Sequence, residues 1–405
     1  MKSLINQRVN WMMALMPYSI AIGPLGTLLT LEIAALRGSP IDVSYAMSAG
    51  SAAGVVAPLI WGFLLDKYGG RRILTLGFLG TALFMLTLAY ASSIPQIALY
   101  YAAASLFSSA VGVSASMIIV GYSSRSRWNE SYSRLNFISS LGYLIGDLTA
   151  AALSGFLSIK AIILSMGSLS LASVVLTLYA MPQVAKVNNT NSDPPGSIPG
   201  RALELGNIMS LITLYSAIII FYVSSGIFNT LYPYGLRIGG LSKTWVMGII
   251  SMGLGVQILG FRMAPRLISR LGGNAKAASS SLILRGLSYS LIGLTSSTPV
   301  TLIATGLTLY PLAAGLAFST FYTASNVMIF ERLKNGKEGK GLGVYNVVAG
   351  SSYLTGSLAS GYLANSIGIG QSYVIAGVML WGSAYLFKLI DKNKVTEVSE
   401  VARIH

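Results

Sequence analysis

The chain of 405 residues has no cysteine and a single histidine, His405. The absence of cysteine excludes disulfides, thiolate metal sites and cysteine nucleophiles. The acidic residues number only 12 and are scattered, and the sequence has no glycine-rich phosphate loop of the GxxxxGK type. The sequence therefore predicts no enzyme, no ATP hydrolysis, no metal and no cofactor.

Charged residues of either sign are also scarce. They make up 10% of the chain, against roughly 25% in soluble domains, whereas 53% of the residues are apolar. Apolar runs of about 20 residues, the length that crosses a bilayer, occur twelve times. Their centres lie near residues 23, 54, 83, 109, 147, 171, 221, 255, 286, 312, 355 and 380. The composition thus predicts an all-α membrane protein with twelve transmembrane helices.

The distribution of positive charge predicts how the chain is oriented. Of the 27 Lys and Arg residues, 21 lie on the two terminal segments or in alternate connections between spans. The intervening connections hold only Arg37, Lys160, Arg237 and Lys243. Because positively charged loops stay in the cytoplasm, we expect a multi-pass protein of the cytoplasmic membrane with both termini in the cytoplasm. The net charge of +15 reflects this bias, so no nucleic-acid partner is expected.

A sequence repeat relates the two halves of the chain. The segment 62–72, GFLLDKYGGRR, aligns with 265–275, PRLISRLGGNA, and GYLIGDL at 142–148 aligns with SYLTGSL at 352–358. A polar stretch rich in Pro, Gly, Asn and Ser separates the halves and indicates a linker. We expect an N-terminal six-helix bundle at 1–181, a cytoplasmic linker at 182–207, a C-terminal six-helix bundle at 208–390 and a cytoplasmic tail at 391–405.

The first copy of the motif, with Gly62, Asp66, Gly69, Arg71 and Arg72, resembles the loop between helices two and three of the major facilitator superfamily. The resemblance implies two pseudo-symmetric six-helix bundles, alternating access and a monomer. It also implies a cytoplasmic gate, in which Asp66 faces the N-terminus of helix eleven and the arginines add ion pairs. A helix dipole favours a carboxylate there. Alternatively, Asp66 only caps its helix and the arginines only orient the loop.

Charges within the spans need a reason, because a charge at the bilayer centre costs about 2.5–3.5 kcal/mol. Asp147 falls at the midpoint of the fifth span, and we interpret it as a proton site that loads and unloads as the cavity changes sides. The alternative is a neutral, hydrogen-bonded Asp at a helix contact, where the repeat has Ser357. Glu32, near the outer end of the first span, is expected to pair with Arg37 or to guard an outer gate.

Two arginines also lie within spans. Arg262, in the eighth span, is interpreted as the group that binds a solute carboxylate, because an arginine in this helix has that role in the monocarboxylate and oxalate branches of the superfamily. The alternatives are a gate residue or a side chain that extends to the membrane interface. Arg285, in the ninth span, is interpreted as structural, because this helix packs at the outside of the bundle in the superfamily.

Neutral polar residues on the expected cavity helices complete the candidate substrate site. Aromatic rings among hydrogen-bonding groups suit a small polar or amphipathic solute. The candidates are Asn229, Tyr232, Tyr322, Asn326, Asn346 and Tyr353. Each of them could instead form a hydrogen bond between helices.

These residues together predict a secondary active transporter that moves a small organic solute across the cytoplasmic membrane. We favour an organic anion taken up with protons by a symporter. The alternatives are a proton-driven exporter of amphipathic compounds that uses Glu32 and Asp147, and a sensor or lipid-moving protein with the same fold. The expected partners are the solute, protons and the lipid bilayer.

Overall fold

The computed structural model describes residues 11–122, 128–180, 205–295, 298–332 and 338–404. Within these ranges the chain contains no strand and forms twelve helices, six in each half. The N-terminal half contains α1 (Leu15–Ile22 and Leu25–Ala35), α2 (Pro40–Tyr68), α3 (Gly70–Ala89), α4 (Ile94–Tyr122), α5 (Trp128–Leu153) and α6 (Ile159–Ala180). The C-terminal half contains α7 (Leu205–Ile238), α8 (Lys243–Arg270), α9 (Asn274–Thr295), α10 (Pro299–Tyr310 and Phe318–Arg332, joined by the π-helical turn Pro311–Ala317), α11 (Glu338–Ile367) and α12 (Ile369–Ile404).

The twelve helices confirm the twelve predicted spans and the all-α fold. The predicted linker, 182–207, falls mostly outside the described residues, so its boundaries stay a prediction. α12 continues to Ile404, beyond residue 390, where the predicted tail begins. α1 is interrupted at Gly23 and Pro24, because proline has no N–H to continue the helical hydrogen bonds.

Nine helices within the described ranges are long and apolar enough to cross a membrane by length and composition. The other three, α5, α9 and α11, are more polar, and two of them carry Asp147 and Arg285. α9 packs mainly against α12 and α10, and α11 packs against α7 and α2. Because neighbouring helices cover them, these elements need less apolar surface than a helix surrounded by lipid.

Successive helices run between two faces of the molecule. We call one the basic face, which holds the connections α2–α3, α4–α5, α6–α7, α8–α9 and α10–α11 and most of the Lys and Arg residues. The opposite face holds the other connections. There α2, α8 and α10 begin with side-chain caps, because Ser39, Ser242 and Thr298 each accept a hydrogen bond from the backbone N–H three residues later.

The turn after α2 on the basic face requires glycine. Gly69 has a φ of 84°, and its N–H donates to the Leu65 carbonyl at 2.8 Å to close the helix. Gly272, at the same position of the second motif copy, also has a φ of 84°. Side chains disfavour this left-handed region. The two copies of the motif therefore share a backbone conformation as well as a sequence.

Close helix contacts repeat between the halves in the same way. A methyl group on Gly146 of α5 would overlap the Ile20 carbonyl oxygen of α1. A methyl group on Gly356 of α11 would overlap the Val223 carbonyl oxygen of α7. Small residues let helices in a membrane approach this closely. The α1–α5 contact and the α7–α11 contact are thus one arrangement used twice.

Candidate functional site

The two halves contact each other on the opposite face. Ser48 of α2 donates a hydrogen bond to Ser357 of α11 at 3.0 Å, and the hydroxyls of Tyr45 and Tyr362 also bond between these helices. Tyr234 of α7 donates to the Gly38 carbonyl, at the connection between α1 and α2, at 2.9 Å. These three bonds close the opposite-face side of the molecule between α2, α7 and α11.

A second contact between the halves joins α5 and α8, also toward the opposite face. The hydroxyls of Ser154 and Thr244 lie 2.9 Å apart, and Lys243 donates to the Leu157 carbonyl at 3.0 Å. Every hydrogen bond between the halves that involves only described residues lies on this side of the molecule. α5 and α8 therefore form a second closed seam there.

Toward the basic face, two described positions on α2 and α11 are uncovered. Gly62 of α2 has no atom within 4 Å of the point where a side chain would begin, and Val347 of α11 is 55% exposed. Among the described residues, the hydrogen bonds between the halves thus lie toward the opposite face and none lies toward the basic face.

A pocket in the N-terminal half lies between α1, α2 and α4. Its volume is about 360 Å³, within the range of small-molecule sites. Glycines of α1 and α2 line it on one side, and hydroxyl groups line it on the other. The hydroxyl-bearing residues are Ser51, Tyr101, Ser105, Ser108 and Ser109. The pocket lining is therefore neutral and rich in groups that both donate and accept hydrogen bonds.

Arg285 lies in the C-terminal half, buried in a cage of aromatic rings. Its guanidinium carbon is 5.1 Å from the ring centre of Phe221, 5.2 Å from that of Tyr289 and 5.4 Å from that of Phe318. Nε donates to the Tyr289 hydroxyl at 2.8 Å, whereas Nη1 is buried without a hydrogen-bond partner. Among the described residues no carboxylate lies within 4 Å of it. The ring faces compensate only part of the cost of burying this charge.

Asp147 is the second buried charge, and it belongs to the other half. Its side chain is 4% exposed, and Oδ1 has no hydrogen-bond partner within the described part of the chain. The Tyr310 hydroxyl of α10 lies within electrostatic range of both Asp147 and Arg285. A buried carboxylate without partners is costly unless it meets a cation or takes up a proton. Asp147 thus presents an unsatisfied group near the contact between the halves.

Ser357, the repeat equivalent of Asp147, is fully satisfied. It accepts hydrogen bonds from Ser48 at 3.0 Å and from Thr230 at 2.9 Å, and so ties α11 to α2 and α7. The alternative interpretation of Asp147, a hydrogen-bonded residue at a helix contact, describes Ser357 in the C-terminal half. In this structure Oδ1 of Asp147 has no such partner, and the choice between the two interpretations of Asp147 stays a prediction.

Tyr353 of α11 connects the two regions of the site. Its hydroxyl lies near the side chains of Asn229 and Thr230. The same hydroxyl lies within electrostatic range of Tyr101, in the N-terminal pocket, and of Tyr289, which contacts Arg285. Tyrosine hydroxyls therefore lead from the pocket in one half to the guanidinium in the other.

The remaining substrate-site candidates fall into separate places. Tyr232 is buried, stacks on Tyr310 with ring centres 4.5 Å apart, and has a hydroxyl without a partner. Asn326 donates to the backbone carbonyl of Tyr322 at 2.8 Å, within its own helix. Arg262 and Asn346 are exposed, and neither forms a hydrogen bond or ion pair with another described residue. Their roles in substrate binding stay predictions.

Arg262 nevertheless lies on the face of α8 that turns toward the N-terminal half. It is two helical turns from Gly255, the residue of α8 that approaches Leu144 of α5. Residues seven positions apart share a helix face. Arg262 is therefore exposed between α5 and α8, toward the basic face.

The gate motif is only partly described. Arg71 donates to the Leu178 carbonyl at 2.8 Å, which fixes the start of α3 against the end of α6. Arg72 is exposed. The side chains of Asp66 and of residues 341–343, within the segment 341–345 expected near it, are not described, so the predicted contact between them stays a prediction.

The expected pairing of Glu32 with Arg37 is wrong. Glu32 lies 3.7 Å from Lys160, at the start of α6, and Lys160 also donates to the Ala91 carbonyl at 2.7 Å. Arg37 follows the end of α1 in a left-handed conformation, with a φ of 58°, and this turn separates it from Glu32. The ion pair therefore joins α1 to α6 within one half.

Two parts of the site were missed by sequence reasoning. The burial of Arg285 depends on aromatic residues from α7, α9 and α10 that are far apart in sequence. The serines around Tyr101 gave a weak signal. In the run SLFSS at residues 105–109, the serines are three and four positions apart, which places them on one face of a helix. Within the described ranges, no group of three His, Cys, Asp or Glu side chains could hold a metal ion.

Comparisons with known proteins agree with this architecture. The family model of the Major Facilitator Superfamily matches residues 11–322. A curated relative, the major facilitator superfamily multidrug transporter mfsB of Aspergillus fumigatus, is 28% identical over 98 residues, which cover 24% of this chain and 16% of that relative. The match to this relative is therefore confined to a small part of its length.

Solved structures share the fold over nearly the whole chain. The nucleoside transporter NupG has a TM-score of 0.74 at 16% identity, covering 96% of this chain and 99% of that one. An auto-inhibited POT family peptide transporter has a TM-score of 0.77 at 10% identity, covering 96% and 97%. A bacterial homologue of the human lysosomal transporter Spinster, solved inward-facing and occupied, has a TM-score of 0.67 at 12% identity, covering 96% of each chain. The chain belongs to the Major Facilitator Superfamily and is a multi-pass membrane transporter.

Proposed function

We propose that this protein is a secondary active transporter that moves a small organic solute across the cytoplasmic membrane by alternating access. One observation carries the proposal. Among the described residues, the hydrogen bonds between the halves lie toward the opposite face, and Gly62 of α2 has no neighbour within 4 Å of its side-chain position toward the basic face. In alternating access, the two bundles rock against each other, so that the contacts at the opposite face open while contacts at the basic face form. The centre of the molecule is then exposed to the other side of the membrane.

The basic face is the cytoplasmic one in this proposal. The sequence segments that join the helix ends at this face carry most of the positive charge, which the positive-inside rule assigns to the cytoplasm. The structure then represents the inward-open state of a protein that works as a monomer. In the outward-open state the motif of Gly62, Asp66, Gly69, Arg71 and Arg72 would close the cytoplasmic side. The fixed turn at Gly69 and the anchored Arg71 support this role.

We propose an organic anion as the solute and protons as the coupling ion of a symporter. Asp147 is the proton site, supported by its burial, its missing partner and its place between the halves. Arg262, exposed toward the basic face, attracts the anion into the cavity. Asn229, Tyr232 and Tyr353 line its centre, whereas Tyr322, Asn326 and Asn346 contribute nearer the cytoplasm. Glu32 is paired with Lys160 and is the weaker proton candidate.

A second candidate function is proton-driven export of amphipathic compounds. It is favoured by the local similarity to a fungal protein described as a multidrug transporter. In that case the solute would leave the cytoplasm as protons enter through Asp147. The direction of proton movement relative to the solute separates the two functions.

The test uses purified protein in liposomes that contain a pH dye. Carboxylates, sugars and cationic amphiphiles are added outside, with wild type and Asp147→Asn in parallel. We expect carboxylates alone to acidify the lumen, and Asp147→Asn to abolish the acidification while labelled carboxylate still exchanges across the membrane. Ser251→Ala is the matched control, because it removes a hydroxyl that bonds only within its own helix.

Each other outcome contradicts a stated part of the proposal. Alkalinisation of the lumen on addition of cationic amphiphiles would favour the exporter. Solute movement with no proton movement would make the protein a uniporter or exchanger and remove the role of Asp147. No movement of any tested solute class would contradict transport of small organic anions.

A further inference from the structure

Arg285 lacks the one partner that its chemistry calls for. A guanidinium stays charged in every protein environment and matches the planar geometry of a carboxylate. The cage of Phe221, Tyr289 and Phe318 satisfies its faces, and the Tyr289 hydroxyl satisfies Nε, but Nη1 is left buried and unpaired. A purely structural arginine would be expected to have its donors satisfied by carbonyl or carboxylate oxygens. The vacant donor therefore points to an anionic ligand.

The pocket of the other half calls for different chemistry. Its lining carries hydroxyls of Ser51, Tyr101 and Ser105 and no charged side chain. Gly50 lets Tyr101 and Ser105 approach α2, because a methyl group there would overlap the Tyr101 ring. Hydroxyls that already donate locally still accept through a remaining lone pair. Because Ile22 and Leu25 also line the pocket, its surface suits a ligand that carries hydroxyl groups on a carbon skeleton.

The two regions are linked by tyrosine hydroxyls. Tyr101 belongs to the pocket, Tyr353 lies within electrostatic range of Tyr101 and Tyr289, and Tyr289 accepts from Arg285. One end of this path is neutral and hydroxyl-lined, and the other end is a fixed positive charge. The ends also belong to different halves of the protein.

We propose that the solute is a polyhydroxylated carboxylate, with its carboxylate bound by Arg285 and its hydroxyl groups bound in the pocket around Tyr101. This inference specifies the solute class of the proposed transport function and rests on it. A solute that bridges the halves stabilises the arrangement in which they approach each other. Binding of this solute thereby favours the occluded state that alternating access passes through.

Each half of the site rejects a different analogue. A neutral polyol leaves the Arg285 donor unpaired, and an unsubstituted carboxylate leaves the pocket hydroxyls without polar partners. An unpaired buried polar group costs about 1–3 kcal/mol, so we expect each analogue to bind at least about fivefold more weakly. Discrimination on both counts distinguishes this site from a general anion site.

The experiment measures binding to the full-length protein in lipid nanodiscs by calorimetry. The probe is gluconate, with a set of aldonates and uronates of different length. The matched analogues are glucitol, which has the hydroxyls without the carboxylate, and hexanoate, which has the carboxylate without the hydroxyls. Arg285→Gln removes the proposed anion-binding group, and Arg270→Gln is the control, because Arg270 is an exposed arginine in the last turn of α8 to which no binding role is assigned.

We expect a polyhydroxylated carboxylate to bind while glucitol and hexanoate bind at least about fivefold more weakly. Arg285→Gln should abolish the preference for the carboxylate, and Arg270→Gln should keep it. Arg285→Lys keeps the charge if the first variant fails to fold, and its loss of planar geometry should still weaken binding several-fold. Equal binding of the three ligand types, binding of none, or an unchanged preference in a folded Arg285→Gln protein would overturn the proposal.

The two proposals fail separately. If gluconate binds through Arg285 but no solute crosses liposomes, the site assignment stands and the transport function is wrong. If carboxylates are transported and Arg285→Gln leaves uptake unchanged, the transport function stands and this assignment is wrong.

Discussion

In the C-terminal half Ser357 accepts hydrogen bonds from Ser48 and Thr230, whereas the repeat-equivalent Asp147 in the N-terminal half has no partner among the described residues. The residues that correspond to Ser48 and Thr230 are Ser251 and Thr27. Ser251 donates instead to the Met247 carbonyl of its own helix at 2.8 Å. The repeat therefore preserves the helix contacts and changes the bonding at them.

The same contrast extends to the larger sites. The N-terminal half offers hydroxyls around Tyr101, and the C-terminal half offers a charge, Arg285, among aromatic rings. Ala82 stands at the α3 position that corresponds to Arg285, and it is fully buried. A symmetric framework thus carries asymmetric chemistry, and the positions where the symmetry fails are the ones that we assign to function.

The largest expected effect comes from substitutions in the close helix contacts that both halves contain. Gly146→Ala and Gly356→Ala place a methyl group against a backbone carbonyl that cannot move independently of its helix. Each variant should lose about 3 kcal/mol of folding free energy, because overpacking of a closely packed contact typically costs 1–3 kcal/mol and sometimes more. Thermal unfolding in detergent, followed by size-exclusion chromatography, measures the loss.

The matched controls are Gly112→Ala in α4 and Gly248→Ala in α8, where no atom lies within 4 Å of the added methyl group. Both controls should unfold at the temperature of the wild type. If only one of the two contact variants is destabilised, the α1–α5 and α7–α11 contacts are not equivalent.

The next largest effect concerns the hydrogen bond at Ser48, which joins two helices, whereas the corresponding Ser251 bonds within its own helix. Ser48→Ala removes one hydrogen bond of the seam that Ser357 forms at the opposite face. A neutral hydrogen bond contributes about 0.5–1.5 kcal/mol, so the balance should shift several-fold toward the state that is open on that face. The equivalent substitution, Ser251→Ala, removes a bond within one helix and should leave the balance unchanged.

The absence of cysteine makes this shift measurable. Cysteines introduced at Tyr90 and Val300, which are both 76% exposed near the opposite face, can be spin-labelled without competing thiols. Double electron–electron resonance should show a larger population of long distances between the two spin labels in Ser48→Ala than in Ser251→Ala. Equal distributions in the two variants would mean that the Ser48–Ser357 bond does not hold the seam.

Much of this comparison could be predicted from the sequence. Twelve apolar runs predicted the twelve helices, and the alignment of Gly146 with Gly356 predicted a repeated close contact. These features depend on local hydrophobicity and on small residues at fixed spacing, which a sequence displays directly. The place of Asp147 at the middle of α5 was equally visible, although its missing partner was not.

The environment of Arg285 could not be predicted from the sequence. The superfamily resemblance placed α9 at the outside of the bundle and implied a structural arginine there. The orientation of one side chain toward Phe221 and Phe318 depends on how three helices rotate against each other. The pairing of Glu32 was missed for a related reason, since Lys160 is 128 residues away and is brought near only by the packing of α1 against α6.

The smallest expected effect concerns this pair, which exists in one half only. The position that corresponds to Glu32 in the C-terminal half is Gly235, where a methyl group would meet the Tyr373 hydroxyl. Glu32→Gln should change the folding free energy by less than about 1 kcal/mol, because Lys160 is 40% exposed and solvent screens the pair. A double-mutant cycle with Lys160→Met isolates the coupling, and Arg37→Met should leave it unchanged. A coupling well above 1 kcal/mol would show that the Glu32–Lys160 ion pair stabilises the N-terminal bundle. At the corresponding position the C-terminal bundle has the contact between Gly235 and Tyr373, so the two bundles would then differ in the interactions that stabilise them as well as in the ligand groups that we assign to them.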